Sequence, residues 1–186
     1  MVAPQPTARE ASPLMGVTMA ATTIGIFTGI LSLFISTDLA IRLAAAILVG
    51  VVGILSFVRH SLCYKSDQIR MGWRQDHPGF QLEVGYANLA FGIWALAAAA
   101  ACRGLVCGIM LAASATYLLC ALLLYFSETR AGADPDIPAL RTRVIRSVLS
   151  TGFFELFLFL LAVIAFARSG LLSFLQRKPA SFLTRF

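Results

Sequence analysis

Long runs of apolar residues dominate the chain, and charged residues lie almost entirely between them. The hydrocarbon core of a bilayer is about 30 Å thick, which roughly 20 helical residues cross. Only Arg42 and Glu155 interrupt runs of that length. The pattern predicts an all-α fold, a polytopic bundle of five membrane-spanning helices with four as the alternative count. The predicted spans are residues 15–36, 40–58, 84–102, 105–126 and 147–167.

The composition excludes a water-soluble domain. Hydrophobic residues make up 59% of the 186 positions and charged residues 13%, whereas a soluble domain carries about 25% charged residues. The mean hydropathy is +0.82. We expect residues 1–14 to form a flexible leader, 15–167 one transmembrane domain, and 168–186 a basic tail of amphipathic character. The first apolar run is longer than a cleaved signal sequence needs, so we expect it to be retained as a span.

The basic residues predict an orientation. With five spans, the leader and the two long loops lie on one side and carry nine Lys and Arg residues, against six on the other side, four of them in the tail. The positive-inside rule then places the N-terminus and both long loops in the cytoplasm of a bacterial inner membrane. Because the basic residues flank spans, lipid head groups are their expected partner, and no nucleic-acid-binding face is indicated.

The first span carries a face of small residues at spacings of three and four. Small residues let helix backbones approach closely in lipid, so the face predicts a packing seam. The seam could join this chain to a membrane-protein partner or a second copy, or it could pack against another span of the same chain, which is the commoner case. The face consists of Thr18, Thr22, Gly25, Gly29, Ser32 and Ser36.

Glu155 falls near the middle of the fifth span, where an acidic residue costs about 3 kcal/mol on insertion scales. Arg143, Ser147, Thr151 and Glu155 follow one another at steps of four and form a polar stripe on one helix face. Such a stripe must face protein or water. It indicates either a proton or cation relay, or a hydrogen bond that fixes helix register.

The first long loop and the start of the third span form the least ordinary segment. It contains both histidines of the chain among several other polar residues. These types can bind metal, but their spacing fits no familiar site, so we predict no metal and no cofactor. The competing interpretation is an interfacial loop with a short in-plane helix over residues 61–73. The candidate functional residues are Arg59, His60, Asp67, Trp73, His77, Glu83 and Asn88.

This segment resembles an uncharacterised family of small bacterial integral membrane proteins. The resemblance has no activity attached to it and therefore implies none. It marks residues 59–90 as the distinctive part of the chain. The matching pattern is Arg59-His60-Ser61, Asp67, Gly72-Trp73, Phe80-Gln81-x-Glu83-Val84-Gly85 and Ala87-Asn88-Leu89-Ala90.

Three function hypotheses follow. No nucleophile motif, phosphate-binding loop or Cys-x-x-Cys pair is found, which favours a non-enzymatic accessory or scaffold subunit of a membrane assembly. The first alternative is a small transporter or proton-coupled carrier working through Glu155. The second is a membrane enzyme using the segment His60–Glu83. A disulfide between Cys102 and Cys107 is left open by their position around a tight turn.

Overall fold

A computed structural model describes residues 11–71, 78–101, 104–131 and 138–170. Side chains are described in these ranges except at positions 70–71, 78, 80, 125–131 and 138–151. Every regular element in the described ranges is helical, as the sequence predicts.

Within the described residues, four helical stretches are long and apolar enough to cross a membrane: Ala11–Leu33, Thr37–Leu62, Gln81–Ala100 and Gly104–Leu124. This confirms the helical membrane bundle. The predicted fifth span falls in a helix that covers Pro138–Arg168. The first half of that helix has no described side chains, so the count of five stays a prediction.

The helices begin and end at different residues from the predicted spans. They are α1 (Ala11–Leu33), α2 (Thr37–Ala44), α3 (Val52–Phe57), α4 (Tyr64–Met71), α5 (Pro78–Ala100), α6 (Gly104–Ala131) and α7 (Pro138–Arg168). Two π-helical segments, Ala45–Val51 and Val58–Leu62, join α2 to α3 and extend α3.

The differences have local causes. The described part of α1 reaches into the predicted leader, where the N–H of Ala11 donates to the Ser66 hydroxyl at 3.0 Å. Helix α5 starts at Pro78, which suits a first helical position because that position needs no N–H donor. The described part of the predicted in-plane helix contains α4, and residues 72–73 lie outside the described ranges.

The chain divides into two compact units, Met1–Arg103 and Gly104–Phe186. In the N-terminal unit, the small-residue face of α1 packs against the second span of the same chain. Thr18, Gly25, Gly29 and Ser32 are buried. A Cβ atom at Gly25 would collide with the Leu48 side chain. The seam predicted for α1 is therefore occupied within the chain.

A second close approach joins α3 to α5. A Cβ atom at Gly53 would lie 2.7 Å from the Asn88 carbonyl oxygen and 3.2 Å from the Cα atom of Gly92. At the other end of α5, the Arg42 Nε donates to the carbonyl oxygen of Ala99 at 3.3 Å. These contacts hold the second span close to α5 at two points, around Gly53 and at Arg42.

In the C-terminal unit, α6 and α7 pack against each other. A Cβ atom at Gly108 would lie 2.5 Å from the Cβ atom of Ala165. The apolar side chains of Leu111, Leu158 and Leu161 are fully buried in this unit.

Candidate functional site: a buried polar cluster at the end of the second span

The site begins with a π-helical turn at the end of the second span. The N–H of Cys63 bonds to the carbonyl oxygen of Val58, five residues back, at 3.1 Å. A π turn is wider than an α turn and is frequent at functional sites. Arg59, His60 and Ser61 occupy this turn, and all three side chains are largely or fully buried.

Asp67 on α4 is the centre of the cluster, and none of its surface is exposed. Gln81 from the first turns of α5 donates its Nε2 hydrogen to Oδ2 of Asp67 at 2.9 Å. The Nδ1 of His60 lies 2.8 Å from the same oxygen, and the Nε of Arg59 lies 3.7 Å from Oδ1. Three elements that are separate along the chain thus meet at one carboxylate. We call Arg59, His60, Asp67 and Gln81 the polar cluster.

The contacts of His60 define its tautomer. Its Nε2 lies 2.7 Å from the Nη2 of Arg59. A guanidinium group can only donate hydrogen bonds, so Nε2 must accept. We therefore assign the imidazole proton to Nδ1, which faces Asp67. Both ring nitrogens thus lie close to charged side chains, Nε2 to Arg59 and Nδ1 to Asp67.

Two further contacts tie α1 to the polar cluster. Besides the bond from Ala11 to the Ser66 hydroxyl, the Nη1 of Arg59 contacts the sulfur atom of Met15. The ends of α1, the second span and α5 are thereby fixed to α4 by polar contacts. Removing any one of these side chains would take a partner away from the buried polar groups around it.

The buried atoms without a hydrogen-bond partner in the described part of the chain include the Ser61 hydroxyl and the Oε1 of Gln81. Ser61 packs directly on Gly85 of α5, where a Cβ atom would collide with its hydroxyl oxygen. Gln81 and Gly85 are one turn apart on the same face of α5. Glycine at this position lets the π turn approach α5.

The other predicted residues of this segment do not join the polar cluster. Trp73 and His77 lie outside the described residues. Glu83 is exposed. Asn88 donates to the carbonyl oxygen of Val84 in its own helix at 2.8 Å, so its amide nitrogen is satisfied locally.

The predicted stripe on α7 is described only at Glu155. The side chains of Arg143, Ser147 and Thr151 lie outside the described residues. Glu155 is 4% exposed, and its Oε1 has no hydrogen-bond partner within the described ranges.

Sequence reasoning named Arg59, His60 and Asp67 but not Gln81 or Ser66. Gln81 belongs to the pattern that carries the family resemblance. Its position one turn before Gly85 was the sequence signal that could have identified it as a site residue. Ser66 had none, because a serine on a short helix is ordinarily solvated. No group of three or more metal-binding side chains occurs among the described residues. Cys107 is buried, and Cys102 lies outside the described ranges.

Comparison with known proteins identifies the family of the chain. The sequence profile of a family of unknown function, DUF6790, matches residues 12–129. The chain belongs to this family. The expected resemblance to an uncharacterised family is thus confirmed. No curated protein and no solved structure matches the chain. The DUF6790 match includes the whole polar cluster and ends before α7 and Glu155.

Proposed function

We propose that this DUF6790 protein is an accessory or scaffold subunit of a larger assembly in the bacterial inner membrane. The observation that carries the proposal is the outer face of α1. Only 17% of the most apolar stretch of this helix is buried within the chain, and its exposed side carries large side chains. Phe27 and Leu31 are each 61% exposed.

The polar cluster supports this proposal by fixing α1 in place. A helix used as a docking surface must be held rigidly, because ordering it on binding would cost affinity. Ala11 and Met15 at the start of α1 are held by Ser66 and Arg59. Gly25 fixes the middle of the helix against the second span. The small side of α1 is thus used inside the chain, and the large apolar side is the one left for a partner helix or a second copy.

Site-specific photocrosslinking tests the proposal. A photoreactive amino acid replaces Phe27 in the native host, and matched variants carry it at Trp94 of α5 and Val163 of α7, which are also exposed. We expect the position 27 variant to crosslink one defined membrane protein, or this chain itself, and the other two positions to give lipid adducts. Lipid adducts alone at position 27, from a chain that purifies without a partner, would contradict the proposal.

A second candidate function is proton or cation transport through Glu155, and the buried carboxyl oxygen without a described partner favours it. Water is absent from the bilayer core, so a carboxyl group kept there needs a reason. In proteoliposomes, Glu155→Gln should abolish flux while Glu83→Gln, at an exposed position of α5, should not. Equal flux from both variants would remove this candidate.

The enzyme hypothesis has less support from the site. A general base needs a ring nitrogen that can reach a substrate proton, and both nitrogens of His60 are engaged by Asp67 and Arg59. Activity that survives both His60→Ala and His77→Ala, once a substrate class is in hand, would eliminate it.

A further inference from the structure

The contact between Arg59 and His60 can exist in only one protonation state of the imidazole. The Nη2 of Arg59 lies 2.7 Å from the Nε2 of His60. A guanidinium group has only donors and keeps its charge, so Nε2 must be the acceptor nitrogen of a neutral ring. Histidine takes up a second proton within the physiological range of pH. That proton would have to sit on Nε2, between two groups that could then only donate.

The surroundings of His60 decide which side chain gives way. Asp67 of α4 lies 2.8 Å from Nδ1, a nitrogen that carries a hydrogen in both protonation states. This contact therefore survives protonation and becomes an ion pair. Arg59 is held to the same carboxylate less closely, with its Nε 3.7 Å from Oδ1. The Arg59 side chain is 11% exposed while that of Asp67 is fully buried, so Arg59 is the group that can leave.

The other elements around the ring add no charge to it in the described part of the chain. Helix α1 has no titratable side chain, and α5 contributes the uncharged Gln81, which donates to Asp67. Histidine is the residue type here whose charge ordinarily changes between about pH 5 and pH 8. The remaining titratable side chains described on these elements and beside them are half-buried or exposed: Cys63, Tyr64, Lys65, Glu83 and Tyr86.

Arg59 is also the link between the ring of His60 and α1. Its Nη1 contacts the sulfur atom of Met15. One turn earlier in α1, the N–H of Ala11 donates to the hydroxyl of Ser66, which precedes Asp67 on α4. Because Nη1 and Nη2 belong to one planar group, Nη2 cannot move away from His60 without displacing Nη1 from Met15.

We propose that protonation of His60 displaces Arg59 from the ring and from Met15, and so loosens the start of α1. The first turns of α1 are then held rigidly at about pH 8 and less tightly at about pH 5. Loosening weakens docking on the outer face of α1, because a helix that must be ordered on binding loses affinity. This consequence for docking rests on the proposed function, whereas the loosening itself does not.

Hydrogen–deuterium exchange of the full-length protein in detergent, measured by mass spectrometry, tests the loosening without any partner. Wild type and His60→Gln are compared at each pH, which removes the intrinsic pH dependence of exchange. In the wild type, we expect the amides of residues 11–16 to be protected about tenfold less at about pH 5 than at about pH 8, and His60→Gln should show no such effect. About tenfold corresponds to the loss of one hydrogen bond to a charged group. Amides around Gly25, where α1 packs on Leu48, should stay protected at both pH values.

His77→Gln is the matched control, because it removes the only other histidine of the chain, and it should keep the wild-type pH effect. Met15→Leu keeps a similar volume without the sulfur atom, so its exchange at residues 11–16 should be fast and insensitive to pH. Equal protection of the wild type at both pH values, or a full pH effect in His60→Gln or Met15→Leu, would overturn the proposal. So would loss of the effect in His77→Gln. A pH effect in a chain that crosslinks only lipid at position 27 would support the loosening and remove the docking function alone.

Discussion

At the scale of single residues, the stability of the polar cluster depends on how well the surrounding groups offset the cost of burying Asp67. Desolvating Asp67 and Arg59 costs several kcal/mol per ion, and their attraction offsets this only when the geometry is close and other hydrogen bonds satisfy the remaining atoms. The 3.7 Å separation of Arg59 Nε from Asp67 Oδ1 is long for a strong pair. The bond from Gln81 and the nearby imidazole therefore share the stabilisation of the carboxylate.

We expect Asp67→Asn to lower the free energy of unfolding by about 3–5 kcal/mol, because it removes the fully buried negative charge that Arg59 and His60 face. Thermal unfolding in detergent, followed by fluorescence-detected size exclusion, measures the change. Glu83→Gln is the control, since it removes a carboxylate at an exposed position and should leave the midpoint unchanged. Equal midpoints for the two variants would mean that the ion pair adds little.

Replacing both charged residues distinguishes the contribution of the ion pair to stability from that of side-chain packing. The double variant Arg59→Met with Asp67→Leu removes both buried charges together, and such replacements are often neutral. We expect it to unfold at a higher temperature than Asp67→Asn in the same assay. A double variant that is less stable than the single one would show that the hydrogen bond from Gln81 matters more than charge balance.

The residues of the cluster differ in how visible they are in the sequence. Arg59, His60 and Asp67 stand out because charged and imidazole side chains at the end of an apolar run need partners. Gln81 and Ser66 do not stand out, because an amide or a hydroxyl near a span end can bond to water. Only the fold shows that both are buried.

At the scale of elements, the second span is a helix that contains two π-helical segments. The π-helical segment Val58–Leu62 brings the cluster residues inward, and Gly85 on α5 gives it room. Apolar length predicted that a span exists here. It could not predict where the span ends, because the polar residues after Val58 remain helical when the cluster buries them.

We expect Gly85→Ala to lower the free energy of unfolding by about 1–3 kcal/mol through overpacking, because its Cβ atom would collide with the Ser61 hydroxyl oxygen. Ser61→Ala removes that oxygen and should restore part of the loss in the double variant. Gly16→Ala is the control, since nothing lies within 4 Å of its Cβ position. Additive effects of Gly85→Ala and Ser61→Ala would show that the two residues do not touch.

Gly53→Ala should behave differently from Gly85→Ala, because the nearest atoms are backbone atoms that cannot rotate away. They are the carbonyl oxygen of Asn88 and the Cα atom of Gly92. We expect a loss at the upper end of the range for overpacking, about 3 kcal/mol, without rescue by any substitution on α5. Thermal midpoints of Gly53→Ala alone and in combination with Asn88→Ala test this, and recovery in the combination would contradict it.

Helix α4 shows the limit of sequence patterns at this scale. Its composition predicts a short helix in the membrane plane, and a short helix is present, but amphipathic reasoning assigns its polar side chains to water. The polar side faces inward because Asp67 has partners there on two other elements. The inward orientation of these polar side chains depends on tertiary contacts that no local pattern encodes.

At the scale of the whole molecule, the family match and the two units do not coincide. The match to DUF6790 covers residues 12–129 and so includes the N-terminal unit and most of α6, while α7 lies beyond it. The polar cluster and Glu155 therefore belong to different parts of the chain. Variants of one should leave the other's readout unchanged, which allows the scaffold and carrier hypotheses to be tested separately.

The orientation of the molecule is a prediction at this same scale. The N-terminal leader and the two long loops carry nine basic residues in a five-span arrangement, against six on the other side. Basic residues near span ends are retained in the cytoplasm. The four basic residues of the tail oppose this arrangement, and a four-span arrangement would place them in the cytoplasm as well.

Fusions of a reporter enzyme distinguish the two arrangements. Alkaline phosphatase is active only outside the cytoplasm, and a fluorescent protein fused in the same place folds well only inside it. We expect a fusion after Phe186 to show phosphatase activity and a fusion within residues 132–137 to show fluorescence. Fluorescence at both positions would mean that α7 does not cross the membrane. Glu155 would then lie outside the bilayer core, and the physical reason for treating it as a transport residue would be lost.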